Sequence, residues 1–458
     1  MEEKLKRIIL VIIMFAVNAY MFPGETLEKP GPGPTVMTLD IQQAIQMALE
    51  NNKNVLASQE EVNQYRQRVW QNLNFLPTVT LSGFKNLDEK LMELEMPAFF
   101  PGDTPQRVTL DFTKNYEFSL EIVQPIFAGG KILYSYKNAQ LDLRIAKEKR
   151  ENTREDTILQ IKKVFFNILV LKELLKAHNE AQELADTYYK NIKENYELGM
   201  TSKYDLLRAE LAAASVKPNV LKTEKLLNLS ILNLKFMTGI PEETSLDIQG
   251  TFDYSSRSLE LANLVKKALT NRSELRQLEM QINKTSNLLK MAYGQFLPNV
   301  SLIASYSYRS DLFNLKKKNW ENYYTINLGI QFPIFTQLKR TAQVGELRVM
   351  KKILDLNYQQ LRDATKLQVR ELYMTIDEEY RNIQAGQKNI ETAEEGLRTA
   401  ELTYKEGLIT LLELNASTGD LTKAKVNFFQ AVYNYNIAAA ELEKIVGLKT
   451  TENTEGEK

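Results

Sequence analysis

The 458-residue sequence contains no cysteine and a single histidine, His178. No disulfide can staple the fold, and the Cys and His ligands of a zinc site are missing. The lack of cysteine also removes the lipid acceptor of a bacterial lipoprotein, so any membrane attachment must come from the fold itself. Charge of one sign is lacking too, with 58 Lys and Arg against 58 Asp and Glu. That balance argues against a nucleic-acid partner. No nucleophile elbow, phosphate loop or convergent His/Asp/Ser set is present, which points away from an enzyme and implies no cofactor. Proline is absent from two long stretches, 131–198 and 338–406.

What is present begins with export. Lys4, Lys6 and Arg7 precede an apolar run from Ile8 to Val17 and a small-residue position at Val17-Asn18-Ala19. This is the layout of a secretory signal peptide over residues 1–19, with cleavage expected after Ala19. An uncleaved anchor is the alternative, and the apolar run is short for one. Residues 20–37, including Gly31-Pro32-Gly33-Pro34, read as an extended lead-in, and 448–458 read as a polar tail.

Between these ends the chain is written twice. Thr38-Leu39-Asp40 with Ala48-Leu49 and Asn51 is echoed by Ser258-Leu259-Glu260 with Ala268-Leu269 and Asn271. Phe75-Leu76-Pro77 is echoed by Phe296-Leu297-Pro298, and Pro125-Ile126-Phe127 by Pro333-Ile334-Phe335. From there an offset of 208 carries Tyr196 onto Tyr404, Gly199 onto Gly407, Asp205 onto Glu413 and Gly239 onto Gly447. One offset held over so long a stretch indicates a duplicated unit, spanning 38–250 and 256–447.

Each copy reads as helix, strand, loop, strand, very long helix, short break, helix. The long arms, 131–198 and 338–406, would reach on the order of 100 Å if unbroken. In the first arm Leu171, Leu174, His178, Ala181, Ala185, Tyr188, Ile192 and Asn195 follow heptad spacing, a seam for coiled-coil packing. Gly386, Ala393, Gly396 and Ala400 share one face of the second arm and would allow close helix approach. His178 falls inside the first seam and reads as a packed residue.

Four strands are expected, at about 77–86, 115–125, 298–308 and 323–333. In the second, Tyr116, Phe118, Leu120 and Ile122 alternate with Asn115, Glu117, Ser119 and Glu121; in the fourth, Ile326, Leu328 and Ile330 alternate with Thr325, Asn327 and Gly329. Such alternation fits half of a soluble sheet as well as a barrel wall between lipid and water. The export signal, the aromatic flanks around Tyr306, Tyr308, Trp320, Tyr323 and Tyr324, and the lack of a spanning helix favour the wall. Four strands leave two open edges, which hydrocarbon does not tolerate, so two or more chains must share a barrel. Eight strands and twelve are both open on these grounds.

This order of elements, with Tyr196-Glu-Leu-Gly199-Met200-Thr201 and Tyr404-Lys-Glu-Gly407-Leu408-Ile409 at the helix breaks, resembles the TolC family of outer-membrane efflux proteins from about Thr38 to Leu448. The resemblance implies a mixed α and β fold: a homotrimer with a 12-stranded transmembrane β-barrel, continued by a long α-helical coiled-coil barrel. It implies strand-linking loops at about 87–114 and 309–322 facing outside. It further implies a channel in outer-membrane lipid that conducts passively, within a tripartite efflux or type I secretion system. The breaks, Gly199, Met200, Thr201 and Gly407, Leu408, Ile409, would dock a periplasmic adaptor protein that leads to an inner-membrane transporter.

By the same resemblance Asp205 and Glu413 would constrict the pore and Tyr404 would help hold it closed. Both acids also read as ordinary helix-start residues favoured by the helix dipole. Ile409 stands where some members carry a basic partner, and Ala416 stands at a second acidic ring position. Pro218 should kink the first return helix and has no counterpart at Val426. A soluble periplasmic coiled-coil scaffold is the competing reading; it would need no strands of lipid-crossing length.

Overall fold

The computed structural model describes residues 37–85, 91–96, 106–111, 116–252, 254, 260–310, 313 and 320–447. The expected signal peptide, all of the lead-in but Met37, the polar tail, Asn115 and most of the loop at 309–322 lie outside them. In chain order the elements are β1 (Met37–Leu39), α1 (Ile41–Asn51), α2 (Lys53–Gln71), β2 (Thr78–Lys85), β3 (Leu91–Met96), β4 (Gln106–Asp111) and β5 (Tyr116–Ala128). Next come α3 (Lys131–Glu197), α4 (Lys203–Thr238), β6 (Leu246–Ile248), α5 (Leu261–Asn271), α6 (Ser273–Gly294), β7 (Asn299–Ser310), β8 (Glu321–Gln331), α7 (Lys339–Lys405) and α8 (Leu411–Val446).

The long helices α3 and α7 have 67 residues each and the return helices α4 and α8 have 36 each. At 1.5 Å per residue the long pair reaches about 100 Å. Helix starts are set by local chemistry. Asp40 accepts from the Gln43 backbone N–H at 2.8 Å while the Gln43 side chain accepts from the Asp40 N–H at 3.2 Å, a reciprocal cap that opens α1. Helix α4 continues through Pro218, which deprives the Ala214 carbonyl of its usual donor. Among the described residues no helix is long and apolar enough to cross a membrane.

Two cores lie where the short helices meet the long ones, and they are copies of each other. Ile161, Ile168 and Leu234 are buried in the first, and Val369, Ile376 and Leu442 take the same places, 208 residues on, in the second. Each such side chain contributes about 1.5–3 kcal/mol of burial. The closing contacts are also duplicated. Asn51 Nδ2 donates to the Thr238 carbonyl at 3.2 Å, and Asn271 Nδ2 to the Val446 carbonyl at 3.0 Å. Gly239 and Gly447, both at positive φ, end the return helices against these asparagines.

The two halves are joined along α3. Lys162–Glu443 at 2.9 Å, Lys163–Glu441 at 2.6 Å, Lys425–Glu180 at 2.9 Å and Lys444–Asp156 tie it to α8. Arg276–Glu148 at 2.7 Å and Lys284–Asp142 at 2.6 Å tie it to α6. Pairs this exposed are worth about 0–1 kcal/mol each, so they set register more than stability.

Several expectations shift. The first-arm seam buries Leu171, Ala181, Ala185, Tyr188 and Ile192, but Ala177 takes the buried place beside a half-exposed His178, and Asn195 is exposed. A coiled coil with two flanking helices buries a wider stripe than one seam, and the stripe fades as the arm ends. Burial holds the His178 imidazole below the usual histidine range. Of the small residues in the second arm, Gly386 faces Phe428 and Ala400 is buried, whereas nothing lies within 4 Å of a Cβ built on Gly396. The segment expected as a loop at 87–114 holds the antiparallel pair β3–β4. The parallel pair β1–β6, which clasps Leu39 beside Ile248, has no sequence signal beyond three residues a side.

Candidate functional site: an apolar-faced sheet and two helical tips

The principal sheet has the order β2-β5-β7-β8, antiparallel throughout. Its register places like with like across all four strands. Leu81, Leu120, Tyr306 and Tyr324 form one row, and Val79, Ile122, Ala304 and Ile326 the next on the same face. Because side chains alternate with period two, the intervening rows are polar: Thr80, Glu121, Ser305 and Thr325, then Ser82, Ser119, Ser307 and Tyr323.

The polar face is internally bonded. Ser307 Oγ donates to Ser119 Oγ at 3.1 Å, the Ser305 and Thr325 hydroxyls meet at 2.7 Å, and Arg309 pairs with Glu117 at 3.2 Å. On the opposite face Ile326, Leu328 and Ile330 are 61–68 % exposed. An apolar face this extensive on a four-stranded sheet needs a cover, and a polar solvent does not supply it. Gly83 leaves room for the Phe118 ring beside it, since a Cβ there would stand 3.0 Å from the ring.

At the far end the helices turn. The Gly199 N–H donates to the Tyr196 carbonyl at 2.9 Å and the Met200 N–H to the Asn195 carbonyl at 2.8 Å. Gly407 and Leu408 repeat this on Tyr404 and Thr403, both at 2.9 Å. These are paired Schellman caps, and the φ values of +75° and +76° are those glycine tolerates without penalty. Leu198, Met200 and Leu408 are exposed at the turns, with Thr201 half-buried.

The two tips are held side by side by a small apolar cluster. Tyr188, Ala400 and Leu414 form its buried centre, with Leu184, Leu397, Tyr404, Ile409 and Leu411 around them. The Tyr188 and Tyr404 rings meet edge-on at 5.6 Å. Burial, with Glu401 and Tyr404 adding, pushes the Tyr188 hydroxyl up to about 12. Burial and then Asp205 raise that of Tyr404, so both phenols stay protonated. Pairing of Tyr188 with Tyr404 was missed in the sequence, where Tyr188 counted only as a seam residue; two tyrosines near the ends of twin arms were the available signal.

Asp205 and Glu413 each sit three residues into a return helix. Ser202 Oγ donates to the Asp205 carboxylate at 2.6 Å, and the Asp205 N–H donates to Ser202 Oγ at 3.1 Å. Glu413 accepts from the Thr410 N–H at 2.7 Å and its hydroxyl at 2.9 Å. The Thr410 backbone and hydroxyl bonds hold the Glu413 carboxyl below the usual range. Glu413 thus closes a capping box with Thr410, whereas the Asp205 carboxylate bonds the hydroxyl of its N-cap, Ser202. Of the expected gate residues, Asp205 and Tyr404 are close enough to interact electrostatically, and Ile409 lies in the same cluster.

The model of the outer membrane efflux protein family matches residues 44–240 and again 264–448. The chain belongs to that family. Outer membrane protein TolC of Vibrio cholerae is 20 % identical over 318 residues, covering 68 % of this chain and 72 % of that one. The outer membrane protein VceC of Vibrio cholerae shares the fold with a TM-score of 0.74 and 16 % identity, over 89 % of this chain and 96 % of that one. The Campylobacter jejuni CmeC outer membrane channel does so at 0.73 and 17 %, over 89 % and 85 %. As a member of this family the chain is an outer-membrane efflux channel protein, and the soluble scaffold reading is set aside.

Proposed function

We propose that three copies of the chain close a 12-stranded barrel in the outer membrane and continue it as a helical tunnel through the periplasm. Solutes pass along it passively, handed over by a periplasmic adaptor and an inner-membrane transporter that meet the Gly199 and Gly407 tips. The observation that carries this reading is the principal sheet: its rows are apolar on one face and polar on the other, and β2 and β8 each leave an edge open among the described residues. Lipid against Leu81, Ile326 and Leu328, water against Ser119 and Ser307, and edge-to-edge closure between copies satisfy all three features together. The chain itself carries out no chemistry, and residues 1–19 direct its export.

The experiment is a mass measurement on protein extracted from outer membranes. A trimer that resists carbonate washing and requires detergent for release is expected. A monodisperse monomer in mild detergent would remove the shared barrel.

A further inference from the structure

Charge balances over the whole chain but not along it. The stretches 122–141, 280–299 and 322–345 hold Lys131, Lys137, Lys284, Lys290, Lys339 and Arg340, and none of the 58 acidic residues of the sequence. All three lie where sheet gives way to helix: they end β5 and β8, open α3 and α7, and close α6, which packs on both long helices. The fold thus gathers them into a collar of positive charge at the end of the principal sheet. Lys284 is neutralised by Asp142 at 2.6 Å. Lys137, Lys290 and Arg340 have no carboxylate partner among the described residues, and neither does Arg348, two turns further along α7.

These four cations stand over aromatic rings instead. The Lys137 and Lys290 Nζ atoms lie 5.7 and 5.4 Å from the centre of one ring, that of Tyr134. The Arg348 guanidinium lies 5.8 Å from the Tyr293 ring and that of Arg340 5.8 Å from the Phe296 ring. Arg348 also donates to the Tyr293 hydroxyl, and Arg340 Nη1 to the Pro333 carbonyl at 2.9 Å. Lys290 and Tyr293 share one face of α6, and the turn in which the Phe296 N–H donates to the Tyr293 carbonyl at 3.1 Å prolongs that line. One surface therefore runs from α3 across α6 to α7. Tyr293 and Phe296 are 44 % and 43 % exposed, so rings and cations reach it together. A ring steadies a cation without neutralising it, which leaves the positive charge available to an anion from outside. Apolar rings carrying cations at their edge also suit the boundary between hydrocarbon and water.

We infer that this surface binds the headgroups of anionic phospholipid in the leaflet that faces the periplasm. The inference rests on the shared-barrel reading, which sets the sheet in lipid, and adds the class of lipid that the collar selects. Strand β8 has 11 residues, about the length that crosses hydrocarbon when tilted, so the residues after Gln331 stand at headgroup depth. Lysine and arginine side chains further along the helices reach back to that depth by snorkelling. Lys290, Arg348 and Arg340 stand over three different rings, so their charges are spread along a line and do not converge on one point. A row of lipid phosphates matches that spread, and a single free phosphate does not. The attraction is electrostatic and exposed, so salt screens it.

The test uses the full-length protein, purified in mild detergent, and the temperature at which its oligomer dissociates. Adding phosphatidylglycerol should raise that temperature, because a ligand held by the assembled form stabilises it. Phosphatidylcholine and inorganic phosphate should not, and high salt should abolish the rise. The variants Lys137→Gln with Lys290→Gln, and Arg340→Gln with Arg348→Gln, should each lose about half of the rise while dissociating as the wild type does in phosphatidylcholine. Removing four cations at the far end of the long helices, by Lys190→Gln, Lys193→Gln, Lys203→Gln and Lys405→Gln, should leave it whole. A stable trimer that both lipids protect equally, or that inorganic phosphate protects as well, overturns the inference and leaves the shared barrel standing. So does a rise that survives in both paired variants, whether or not they alter ion selectivity in planar bilayers; altered selectivity would place the surface inside the tunnel. A monomer by mass overturns the shared barrel and the inference together.

Discussion

Gly129 and Gly294 touch backbone to backbone: a Cβ on the first would lie 2.0 Å from the Gly294 carbonyl oxygen, and one on the second 1.7 Å from the Gly129 carbonyl oxygen. This contact joins the end of the sheet in one half to the end of α6 in the other. The second half turns at Gln337 and Leu338, which hold positive φ values of 52° and 60° without being glycine. The twin of Gly294 is Leu73, so the matching junction cannot close as tightly.

Gly294→Ala should therefore be among the costlier small substitutions in the chain. Backbone must move at a site where two segments meet, and a loss of about 1–3 kcal/mol is expected. Gly419→Ala, in an open helical position with nothing within 4 Å, should instead stabilise by about 0.5–1 kcal/mol. Thermal unfolding of the two variants in detergent checks the contrast; equal shifts would mean that the junction relaxes freely.

On the sheet, Leu328→Arg should impair membrane assembly, since a charge on the lipid face costs about 2–4 kcal/mol at midplane depth. Asn327→Arg, one residue away on the polar face, should assemble normally. Heat-modifiable trimer on gels reports both, and the idea of a lipid-facing row fails if the two behave alike.

At the tips, Gly199→Val with Gly407→Val places β-branched residues at φ values near +75°. Each costs about 1–2 kcal/mol of backbone strain, with no clash because the space around both is open. Export should be lost while trimer and membrane insertion persist. Full export by the double variant would show that tip shape is not read by a partner.

The acids make a fourth case. Asp205→Asn with Glu413→Gln should reduce cation preference in planar-bilayer conductance, because three copies of each would form rings of like charge. Unchanged selectivity would leave them as helix-start residues alone. The cap itself predicts a pH effect. The Glu413 carboxyl lies lower in the folded protein than in the unfolded chain, so its support of α8 is present above the unfolded value and is lost as pH falls through the folded one. Amide protection at residues 410–414, taken relative to the intrinsic exchange rate at each pH, should fall on acidification in the wild type and be less pH-dependent in Glu413→Gln.

Much of this was legible in one dimension. Period-two alternation at Tyr116 to Ile122 and Thr325 to Ile330 announced strands with one apolar face, and proline-free stretches announced arms of about 100 Å. The repeated Gly199 and Gly407 marked the turns because only a residue at ease with positive φ ends a helix that way. The pairs β1–β6 and β3–β4 were missed because three to six residues carry too little pattern. His178 and Asn195 departed from the first-arm seam, and Gly396 from the close-approach face of the second arm, because spacing along one helix does not say how many neighbours it has.

By itself, then, the sequence determined the duplication, the order of the long helices and the four principal strands, the faces of those strands and the positions of the turns, since each depends on residues near one another along the chain. Only the tertiary structure decided that the Glu413 carboxylate closes a capping box and that of Asp205 bonds the Ser202 hydroxyl, that Tyr188 meets Tyr404, that Gly129 meets Gly294, and that α3 packs on helices of both halves while α7 packs mainly on those of its own. Those depend on which of several similar helices lie side by side, and helices of nearly the same composition do not state their neighbours until they pack.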